Sequence, residues 1–520
     1  MSTNRDLDAA LKYHNGTKHS YLSIRAHPHA LDWQNKPLLF KIYPTLEVLR
    51  LPRDLRQTGV AALSAVRAPA MVPSGPAIPD LDSLAQILFL SAGVTKSKQL
   101  EGVEVFFRAA ACTGALYEIE LYVVCGDLPG LPAGVYHFGA AEFGLRLLRA
   151  GDYRGVLVKA TGAEPSVAHA PVTIICTGTY WRNAWKYRSR TYRHFGWDNG
   201  TILANLQAVC TSFGLPNRVI AGFDDEEVNR LIDVDVTKEV AFSLISIGWT
   251  ADEPVPTSGA LDPLGLAVIP YSSKEVDYPA MRQMHEASSL AEEQIRGWRR
   301  PKGKTQEIPE SESSAHPLKP LENEALPADT IEQVILRRGS TRRFSQGAIT
   351  FEQLSTILEF STRGVAADFL DPYGTLLNEM YLLVNDVKHL PSGAYFFDRA
   401  KNHLELLRKG NFRSEAGYLG LEQELPADAA VDIFFMTDLN RVLARFGNRG
   451  YRAAQLEAGI LGGRMYLSSY AQRLGASGLT FYDDDVTSFF SPHARGKSAI
   501  FLVAIGTALK KHTPASTVIG

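Results

Sequence analysis

A cluster of basic and small residues follows a helix-like apolar pattern within residues 331–358. Guanidinium groups match phosphate oxygens bidentately, a serine hydroxyl adds a donor, and a glycine lets the main chain approach a ligand closely. The sequence RRGSTRRF therefore predicts a phosphate site with Arg338, Ser340 and Arg342 as ligands. A solvated basic helix end fits this segment, taken alone, equally well.

Three other groups of residues are weaker candidates for chemistry. Lys497 precedes the last predicted strand and is a further phosphate candidate, although an ordinary surface lysine fits better. The aspartates at 483–485 are adjacent, so their side chains fan apart, which indicates a solvated turn or a cap instead of a metal site. The four cysteines lack CxxC spacing. We therefore expect buried free thiols, no bound metal and a reducing, cytoplasmic location.

The composition excludes several classes of protein. Of the 520 residues, 45% are hydrophobic and 21% are charged, which is ordinary for a globular chain and unlike a disordered or collagen-like one. The 54 basic and 56 acidic side chains give a formal net charge of -2, so no global field favours nucleic acid or an anionic membrane as a partner. Apolar runs also stay well short of the ~20 residues that a membrane span requires.

The elements that must position these residues belong to an internal repeat. GLPAGVYHF at 130–138 matches HLPSGAYFF at 389–397, a spacing of 259 residues. VTIICTGTYWR at 172–182 and VDIFFMTDLNR at 431–441 keep the same spacing. Two copies of one fold in one chain predict an intrachain pseudo-dimer, and further association between chains stays open.

Three segments divide the chain. Residues 1–269 and 329–520 are the two predicted domains, and residues 270–328 have the charged, proline- and serine-rich composition of a linker, with a short helix indicated at 281–295. Each half mixes apolar, β-branched runs, such as 172–176 and 501–505, with helical patterns. The longest helix of the first half is expected to begin at Asp198 or Asn199 and to end at Gly214. The fold class is therefore α+β.

Several motifs resemble a known family. RRGSTRRF (337–344) resembles the RRSxRxF phosphate element of the flavin-dependent nitroreductase superfamily, and ACTGALYEIELYVV (111–124) resembles its SAGALYPLELYVV type of segment. KYRSRTYRHFGWDNG (186–200) and GASGLTFYDDDVTSFF (475–490) resemble the SagB-type, azoline dehydrogenase-like branch. The resemblance covers nearly all of the chain outside the linker and implies two nitroreductase-like domains, each with an antiparallel-rich sheet flanked by helices.

The resemblance also implies a cofactor and its place. It predicts FMN, held noncovalently between two units and used for two-electron hydride transfer. One unit would supply the arginine element and the loop after the long helix, and its partner would supply the small-residue segment. The expected cofactor contacts beyond the three phosphate ligands and Lys497 are Thr113, Gly114, Ala115, Gly475, Ala476, Ser477 and Gly478.

The two halves have lost complementary parts of this site. Only the second half has the arginine element, because residues 63–82 of the first half contain Arg67 as their only basic side chain. Only the first half keeps the small-residue segment, because Pro372 and Tyr373 crowd the equivalent place in the second. We therefore expect one complete site and one FMN per chain.

Lys186 and Tyr187 are the predicted catalytic pair, since azoline dehydrogenases of this branch carry a Lys-Tyr pair at this place. Dehydrogenation needs a base near the carbon, and neighbouring cations such as Arg182 and Arg190 would lower the pKa of the lysine toward neutrality. Tyr187 would orient or relay the proton. A snorkelling lysine beside a packed tyrosine is the alternative.

Other conspicuous residues are expected to be structural. His194 and Trp197 are predicted to pack or to form hydrogen bonds, and Cys112 is predicted to fill space next to the flavin. Arg193 and its counterpart Arg452 are predicted to form ion pairs, with Asp198 and Glu457 as the nearest acids in sequence.

The leading hypothesis is an FMN-dependent oxidoreductase that dehydrogenates an azoline, a thiazoline or oxazoline, in a small, peptide-derived or carrier-bound natural product. An NAD(P)H-dependent reductase of nitroaromatics or quinones is one alternative. A noncatalytic scaffold that retains the fold is the other.

Overall fold

The computed structural model describes residues 3–26, 28–68, 71, 73–100, 103–254, 261–299, 315–370, 376–509 and 517–518. Pro372 and Tyr373, which the sequence comparison of the two halves used, lie outside the described residues. In the described ranges, no helix combines the length and apolar character that crossing a membrane would take.

The first half contains a seven-stranded antiparallel sheet and a separate hairpin. Its strands are β1 (Leu49–Arg50), β2 (Val94–Leu100), β3 (Val103–Arg108), β4 (Ile119–Cys125), β5 (Gly134–Gly139), β6 (Gly144–Ala150), β7 (Val172–Thr179), β8 (Asn217–Ile220) and β9 (Glu239–Ile247). Its helices are α1 (Asp8–Gly16), α2 (Tyr21–Ala26), α3 (Ala62–Arg67), α4 (Leu81–Ala92), α5 (Arg154–Ala160), α6 (Pro165–Ala168), α7 (Tyr180–Tyr187), α8 (Thr191–Ser212) and α9 (Asp225–Leu231). The sheet order is β1-β6-β5-β4-β7-β9-β8.

The connector and the second half follow. Their helices are α10 (Pro279–Ala287), α11 (Glu292–Arg299), α12 (Ile331–Arg337), α13 (Phe351–Thr362), α14 (Arg413–Leu419), α15 (Glu424–Asp428), α16 (Leu439–Phe446), α17 (Arg449–Ala471) and α18 (Asp483–Phe490). Their strands are β10 (Ala315–Pro317), β11 (Ile349–Thr350), β12 (Glu379–Val384), β13 (Val387–Lys388), β14 (Gly393–Asp398), β15 (His403–Lys409), β16 (Val431–Thr437), β17 (Gly475–Leu479), β18 (Ser498–Gly506) and β19 (Thr517–Val518). The second large sheet is also antiparallel, with the order β10-β15-β14-β12-β16-β18-β17.

The two sheets have the same topology, which confirms the predicted α+β class and the repeat. Strand for strand, β6-β5-β4-β7-β9-β8 corresponds to β15-β14-β12-β16-β18-β17. The central strands β7 and β16 begin 259 residues apart, and every residue of both is buried. Such continuous burial explains why their sequences are runs of apolar, β-branched residues without a polar alternation.

The two longest helices join the halves. Helix α8 packs on β4 and β9 of the first sheet, α17 packs on β17 and β18 of the second, and the two helices pack on each other. Gly200 and Gly459, which are repeat counterparts, meet where the helices cross, and a Cβ atom at either position would overlap backbone of the other helix. Helix α8 begins at Thr191, not at Asp198 or Asn199 as the capping pattern predicts, whereas Gly214 has the positive φ of 68° expected at its end.

Buried ion pairs cross between the halves in a symmetric pattern. Arg193 of α8 pairs with Asp483 of the second half at 2.6 Å, and Arg452 of α17 pairs with Asp225 of the first half at 2.7 Å. The prediction that Asp198 and Glu457 are the partners of these arginines is wrong, because each arginine reaches across to the other half. Asp483 is 1% exposed and is the first residue of α18, with Tyr482 at the cap position, so the prediction of a solvated turn or a cap at 483–485 is wrong for its first residue.

The connector is partly built into the core. The helix expected at 281–295 is present as α10 and α11, which bury Met281, Met284, Ile295 and Trp298. Strand β10 then pairs with β15 and completes the second sheet. Residues 300–314 lie outside the described residues.

Candidate functional site

A cavity of about 510 Å³ lies between the two halves. Residues of both halves line it, so neither half forms it alone. A volume of this size is within the range of pockets that bind cofactors and other small molecules. The lining residues are Ala111, Cys112, Thr113, Gly114, Ala115, Lys186, Tyr187, His194, Trp197, Asp198 and Thr201 of the first half and Ser340, Arg342, Gln423, Glu424, Leu425, Tyr466, Ser477, Gly478, Leu479, Thr480 and Phe501 of the second.

The first-half wall contains the predicted turn at Thr113, Gly114 and Ala115. Gly114 and Ala115 have positive φ angles of 65° and 53°, and a Cβ atom at Gly114 would lie 2.9 Å from the hydroxyl oxygen of Tyr187. Only glycine fits at this position without displacing that tyrosine. Asp198 holds the turn in place, because its carboxylate accepts hydrogen bonds from the backbone N–H of Thr113 at 2.9 Å and from its hydroxyl at 2.8 Å.

The second-half wall contains the arginine element. Helix α12 begins with a capping box between Thr330 and Gln333 and ends at Arg337, so the turn that follows exposes backbone and side-chain donors. The hydroxyls of Ser340 and Tyr466 are 3.2 Å apart, and Arg342 is exposed on the cavity wall. Ser340 and Arg342 therefore lie where the sequence predicts phosphate ligands.

Arg338 is placed differently from the other two predicted phosphate ligands. It is buried, and its guanidinium donates to the carbonyl oxygens of Ala109 at 2.8 Å and Arg108 at 3.2 Å. Its Nη1 has no partner among the described residues. Lys96, on the β2–β3 hairpin of the first half, donates to the carbonyl oxygen of Arg338 at 2.9 Å. These bonds fasten the arginine element of one half to the other half.

The predicted cofactor segment Gly475–Gly478 contains two residues that line the cavity and two that lie behind its wall. Ser477 and Gly478 line the cavity, and the N–H of Gly478 donates to the hydroxyl of Tyr466 at 2.5 Å. Gly475 and Ala476 lie behind the wall in β17, where the carbonyl oxygen of Ala476 accepts the N–H of Thr341 at 2.9 Å. The segment thus supports the arginine element as well as the cavity surface.

Lys186 and Tyr187 both line the cavity at the end of α7. Burial and the nearby Arg342 lower the pKa of the Lys186 ammonium group. The two arginines named by the sequence argument do not act here, because Arg182 is paired with Glu120 at 2.6 Å and Arg190 with Asp483 at 2.9 Å. Burial raises the pKa of Tyr187, so its hydroxyl is protonated at neutral pH.

The remaining predicted residues lie as follows. His194 is buried, is hydrogen-bonded to the side chain of Asn183 at 2.8 Å, and has a pKa held well below its usual value by burial. Trp197 packs against Phe501, with ring centres 5.0 Å apart. Lys497 forms an ion pair with Glu379 and is not among the described residues that line the cavity.

The sequence argument did not identify a buried acid pair at the cavity wall. Asp198 lines the cavity, and Glu118 lies behind it, fully buried. One oxygen of each carboxyl group and the sulfur of Cys112 lie within 4.8 Å of one another. Glu118 stands where the SAGALYPLELYVV pattern has proline, and this departure was a visible signal.

The protein's own side chains fill the repeat-related place in the opposite half. Phe446 is the counterpart of the cavity residue Tyr187 at a spacing of 259 residues. Gly222 is the counterpart of the cavity residue Thr480 at a spacing of 258, because the second copy is one residue shorter in the intervening segment. Trp298 of the connector packs against both Phe446 and Gly222. The indole N–H of Trp298 donates to the carbonyl oxygen of Phe446 at 2.9 Å. The carboxylate of Asp368 accepts the N–H groups of Ala221 at 2.8 Å and Gly222 at 3.0 Å. Among the described residues, the twofold repeat therefore provides two equivalent places, of which one is an open cavity and the other is filled by Trp298.

The open cavity has the chemistry that a phosphorylated, aromatic cofactor requires. Among the described residues, neither Lys186 nor Arg342 forms an ion pair with a carboxylate, so no carboxylate partner competes with an anionic ligand for these two side chains. The turn at Thr113–Ala115 offers a surface without large side chains, against which a flat ring fits. The donor set and the volume therefore fit FMN.

Comparisons with known proteins identify the family. The model described as "Nitroreductase family" matches residues 88–249 and 335–506, one match in each half. A crystal structure from Anabaena variabilis, described as a nitroreductase, is 26% identical and has a TM-score of 0.76 over 96% of this chain and 99% of that chain. A protein of Methanocaldococcus jannaschii, also described as a nitroreductase, is 26% identical over 168 residues, which are 32% of this chain and 80% of that protein.

The microcin synthetase McbBCD complex of E. coli is 18% identical over 47% of this chain and 93% of that chain, with a TM-score of 0.31, a likeness too low to support a functional argument. The family model, by contrast, covers more than half of the chain and finds the family in each of two halves that share one sheet topology. The chain belongs to the nitroreductase family, with two tandem domains of that family in one polypeptide.

Proposed function

We propose that the protein is an FMN-dependent oxidoreductase that holds one FMN per chain in the cavity between its halves. The observation that carries this proposal is the composite wall, in which Ser340 and Arg342 of one half face Thr113–Ala115 of the other. Members of the nitroreductase family are generally FMN-dependent. The filled place around Trp298 supports a single cofactor site, because bound flavin there would have to displace core side chains.

The residues on the wall have separable roles in binding. Arg342 and the hydroxyl of Ser340 would hold the phosphate, since a charged guanidinium and a hydroxyl are strong donors to phosphate oxygens. Arg338 would act from behind, by fixing the turn that presents Ser340. The turn at Thr113–Ala115 would lie against the ring, and Ser477 with Gly478 would lie along its edge.

The proposed reaction is the dehydrogenation of a thiazoline or oxazoline in a small, peptide-derived or carrier-bound substrate. This chemistry removes a proton and a hydride from adjacent ring atoms, and FMN, when bound, supplies the hydride acceptor. Lys186 is the proposed base, because its lowered pKa increases the fraction of neutral amine that can take the proton. The protonated hydroxyl of Tyr187 would orient the ring nitrogen or relay the proton.

Counting the flavin tests the cofactor proposal. The visible spectrum of the purified protein, followed by heat release and identification of the flavin, is expected to give one FMN per chain. Arg342→Ala is expected to weaken FMN binding at least tenfold, and Arg343→Ala, which changes the neighbouring exposed arginine off the cavity wall, is the matched control. Two FMN per chain would contradict the single site. No flavin after reconstitution would favour the scaffold alternative.

Anaerobic bleaching of the flavin tests the reaction. A thiazoline-containing peptide is expected to bleach the visible absorbance of the wild type without NAD(P)H. Lys186→Ala is expected to keep its FMN and to lose this bleaching by a factor of 100 or more, since general base catalysis contributes roughly 10²–10⁴-fold. Rapid bleaching by NAD(P)H, with steady turnover of a nitroaromatic or quinone and none with the thiazoline, would instead show the reductase alternative.

A further inference from the structure

Asp198 and Glu118, the buried acid pair at the cavity wall, have few hydrogen-bond partners that could stabilise two negative charges. Asp198 accepts hydrogen bonds from Thr113 and from the thiol of Cys112, whose sulfur is 3.2 Å from Oδ2. Glu118 is buried, and its Oε1 has no hydrogen-bond partner among the described residues. Neither carboxyl group forms an ion pair with any described cation. One oxygen of each carboxyl group lies within 4.8 Å of the other. If both groups were ionised, they would repel each other in this medium of low polarity, because no described cation is paired with either of them.

The groups that face the pair do not supply the missing positive charge. Arg108 lines a small pocket together with Asp198, but its guanidinium donates to the carbonyl oxygens of Leu39 at 3.0 Å and Ile119 at 3.5 Å. Cys112 and Tyr187 are the other titratable neighbours, and burial raises the pKa of both, so they stay neutral. Burial and the neighbouring Asp198 raise the pKa of Glu118 well above its ordinary value, and burial also raises that of Asp198.

The opposite half provides an internal comparison. Glu457 is the repeat counterpart of Asp198, and it holds the backbone N–H groups of Leu377 and Asn378 as Asp198 holds that of Thr113. The counterpart of Glu118 is Leu377, so among the described residues the second half has the positioning carboxylate without an acid at the place of Glu118. The second acid is therefore not needed to hold a backbone segment on the long helix. Within the described part of the chain, an acid occupies this place in the half whose Asp198 lines the open cavity and not in the other half.

We propose that Glu118 and Asp198 hold one proton between them and exchange it with the molecule in the cavity through the hydroxyl of Thr113. The exchange rests on the proposed function, because it serves the proton that the redox reaction moves. The sharing of the proton rests on the geometry alone and does not depend on the substrate or on FMN.

The transfer is balanced within the side chains on the wall. Thr113 donates its hydroxyl proton to Oδ1 of Asp198 at 2.8 Å, and Thr113 and Asp198 both line the cavity. When a proton arrives from the cavity, the Thr113 oxygen bonds to it while its own proton passes to Asp198, so one O–H bond forms as another breaks. The pair then carries two protons and no net charge. The return of one proton by the same route restores the single negative charge, and no electrons move within the pair.

Infrared spectroscopy of the flavin-free protein tests the shared proton. A protonated carboxyl group has a C=O band distinct from that of a carboxylate, and the band of one buried acid is expected to persist at pH 7 in the wild type and to be absent from Glu118→Leu. This substitution installs the residue that the second half has at the counterpart, Leu377, and Glu118→Gln is the second variant if the first does not fold. In Asp198→Asn, the band is expected to ionise at a lower pH, since the neighbouring negative charge is gone.

Other buried acids require a control in this experiment. Burial also raises the pKa of Glu457 and Asp432, so Glu457→Gln and Asp432→Asn must leave the Glu118 band unchanged. A spectrum in which Glu118→Leu removes no protonated-carboxyl band at pH 7 would overturn the shared proton. Stoichiometric Zn²⁺ in the purified wild type that is lost in Glu118→Leu would overturn it as well, because the metal would replace the proton between the three side chains.

The exchange with the cavity has its own test. Thr113→Val removes the hydroxyl but keeps the branched shape, and it is expected to slow substrate-dependent bleaching, measured per bound FMN, at least tenfold and to alter the pH profile. Thr113→Ser, which restores the hydroxyl, is expected to restore most of the rate and the wild-type pH profile. Equal rates and profiles in Thr113→Val and wild type would overturn the exchange. A wild type that no thiazoline bleaches would refute the proposed dehydrogenase and not the shared proton, which the infrared spectra decide separately.

Discussion

Gly200 of α8 and Gly459 of α17 occupy the same position in the two repeats and lie in backbone contact with each other. A residue that touches its own counterpart lies on a twofold axis, so the pseudo-twofold axis of the chain passes through this crossing. The cavity and the filled place around Trp298 lie on opposite sides of that axis. The two sides of the axis therefore differ in their side chains, one open and one filled, although the backbone around them is nearly symmetric.

Because α8 and α17 are in backbone contact at Gly200, we expect Gly200→Ala to destabilise the protein. The added methyl group would overlap the backbone of Gly459 and Ile460, which cannot rotate away as a side chain would. Overpacking of this kind costs about 1–3 kcal/mol. Gly297→Ala is the control, because it is also a glycine in a helix but has no atom within 4 Å of the added Cβ, and it is expected to be neutral or to stabilise by up to about 1 kcal/mol. Thermal unfolding of both variants measures the difference, and equal midpoints would contradict the close crossing.

We expect substitution of the adjacent residues Asp483 and Asp484 to lower the stability by very different amounts, because Asp483 forms the buried ion pairs between the halves. Asp483→Asn leaves the guanidinium groups of Arg190 and Arg193 without their carboxylate, and breaking a buried pair costs about 3–5 kcal/mol. Asp484→Asn changes a side chain that is 73% exposed and, within the described ranges, is paired with Lys18 alone, so its cost is expected to be below about 1 kcal/mol. Chemical unfolding at one pH compares the two variants. Similar losses in both would contradict the structural role of Asp483.

Much of the frame could be predicted from the sequence because both repeats carry the same physical constraints. Strands buried on both faces need continuous apolar runs, which made β7 and β18 visible as 172–176 and 501–505. A shared spacing of 259 residues then placed corresponding elements without any structure. The cavity residues Lys186, Tyr187, Ser340 and Arg342 were predictable because their motifs are local in sequence.

The contacts between distant segments were not predictable in the same way. Asp198 lies inside α8, and its bond to Thr113 depends on how the helix packs against a turn 85 residues away. The pairing of Arg193 with Asp483 spans 290 residues, and no local pattern distinguishes it from a pairing with a nearer acid. Trp298 fills a place in the core although its neighbours in sequence have the composition of a linker, since burial of one aromatic side chain leaves no periodic signal.

We expect the buried acid Glu457 to make the stability of the protein depend on pH. Burial raises its pKa from 4.5 to about 7 in the folded protein, so folding takes up a proton between these two values. Because the folded state then binds more protons than the unfolded state, stability falls as the pH rises through this window, by up to about 1.4 kcal/mol per pH unit. Glu457→Gln stays neutral at all pH values and is expected to flatten this slope.

Unfolding by urea at pH 5, 6 and 7 measures the Glu457 effect as the difference between variant and wild type, which removes the contribution of other groups. Glu415→Gln changes an exposed carboxyl group and is expected to keep the wild-type slope. A Glu457→Gln slope that matches the wild type would contradict the effect of burial on this acid.

We expect truncation of Trp298 to destabilise the protein without creating a second FMN site. Its side chain is 2% exposed and packs against Phe446 with ring centres 5.1 Å apart, and truncation of a buried tryptophan costs about 3–5 kcal/mol. Trp298→Ala would open space at the counterpart of the cavity, but the carboxylate of Asp368 would still occupy the N–H groups of Ala221 and Gly222. The flavin count is therefore expected to stay at one per chain. Trp33→Ala, at a tryptophan that is 66% exposed, is expected to cost less than about 1 kcal/mol and to leave the count unchanged. A second FMN in Trp298→Ala would show that the connector alone, and not the lost arginine element, closes the second site.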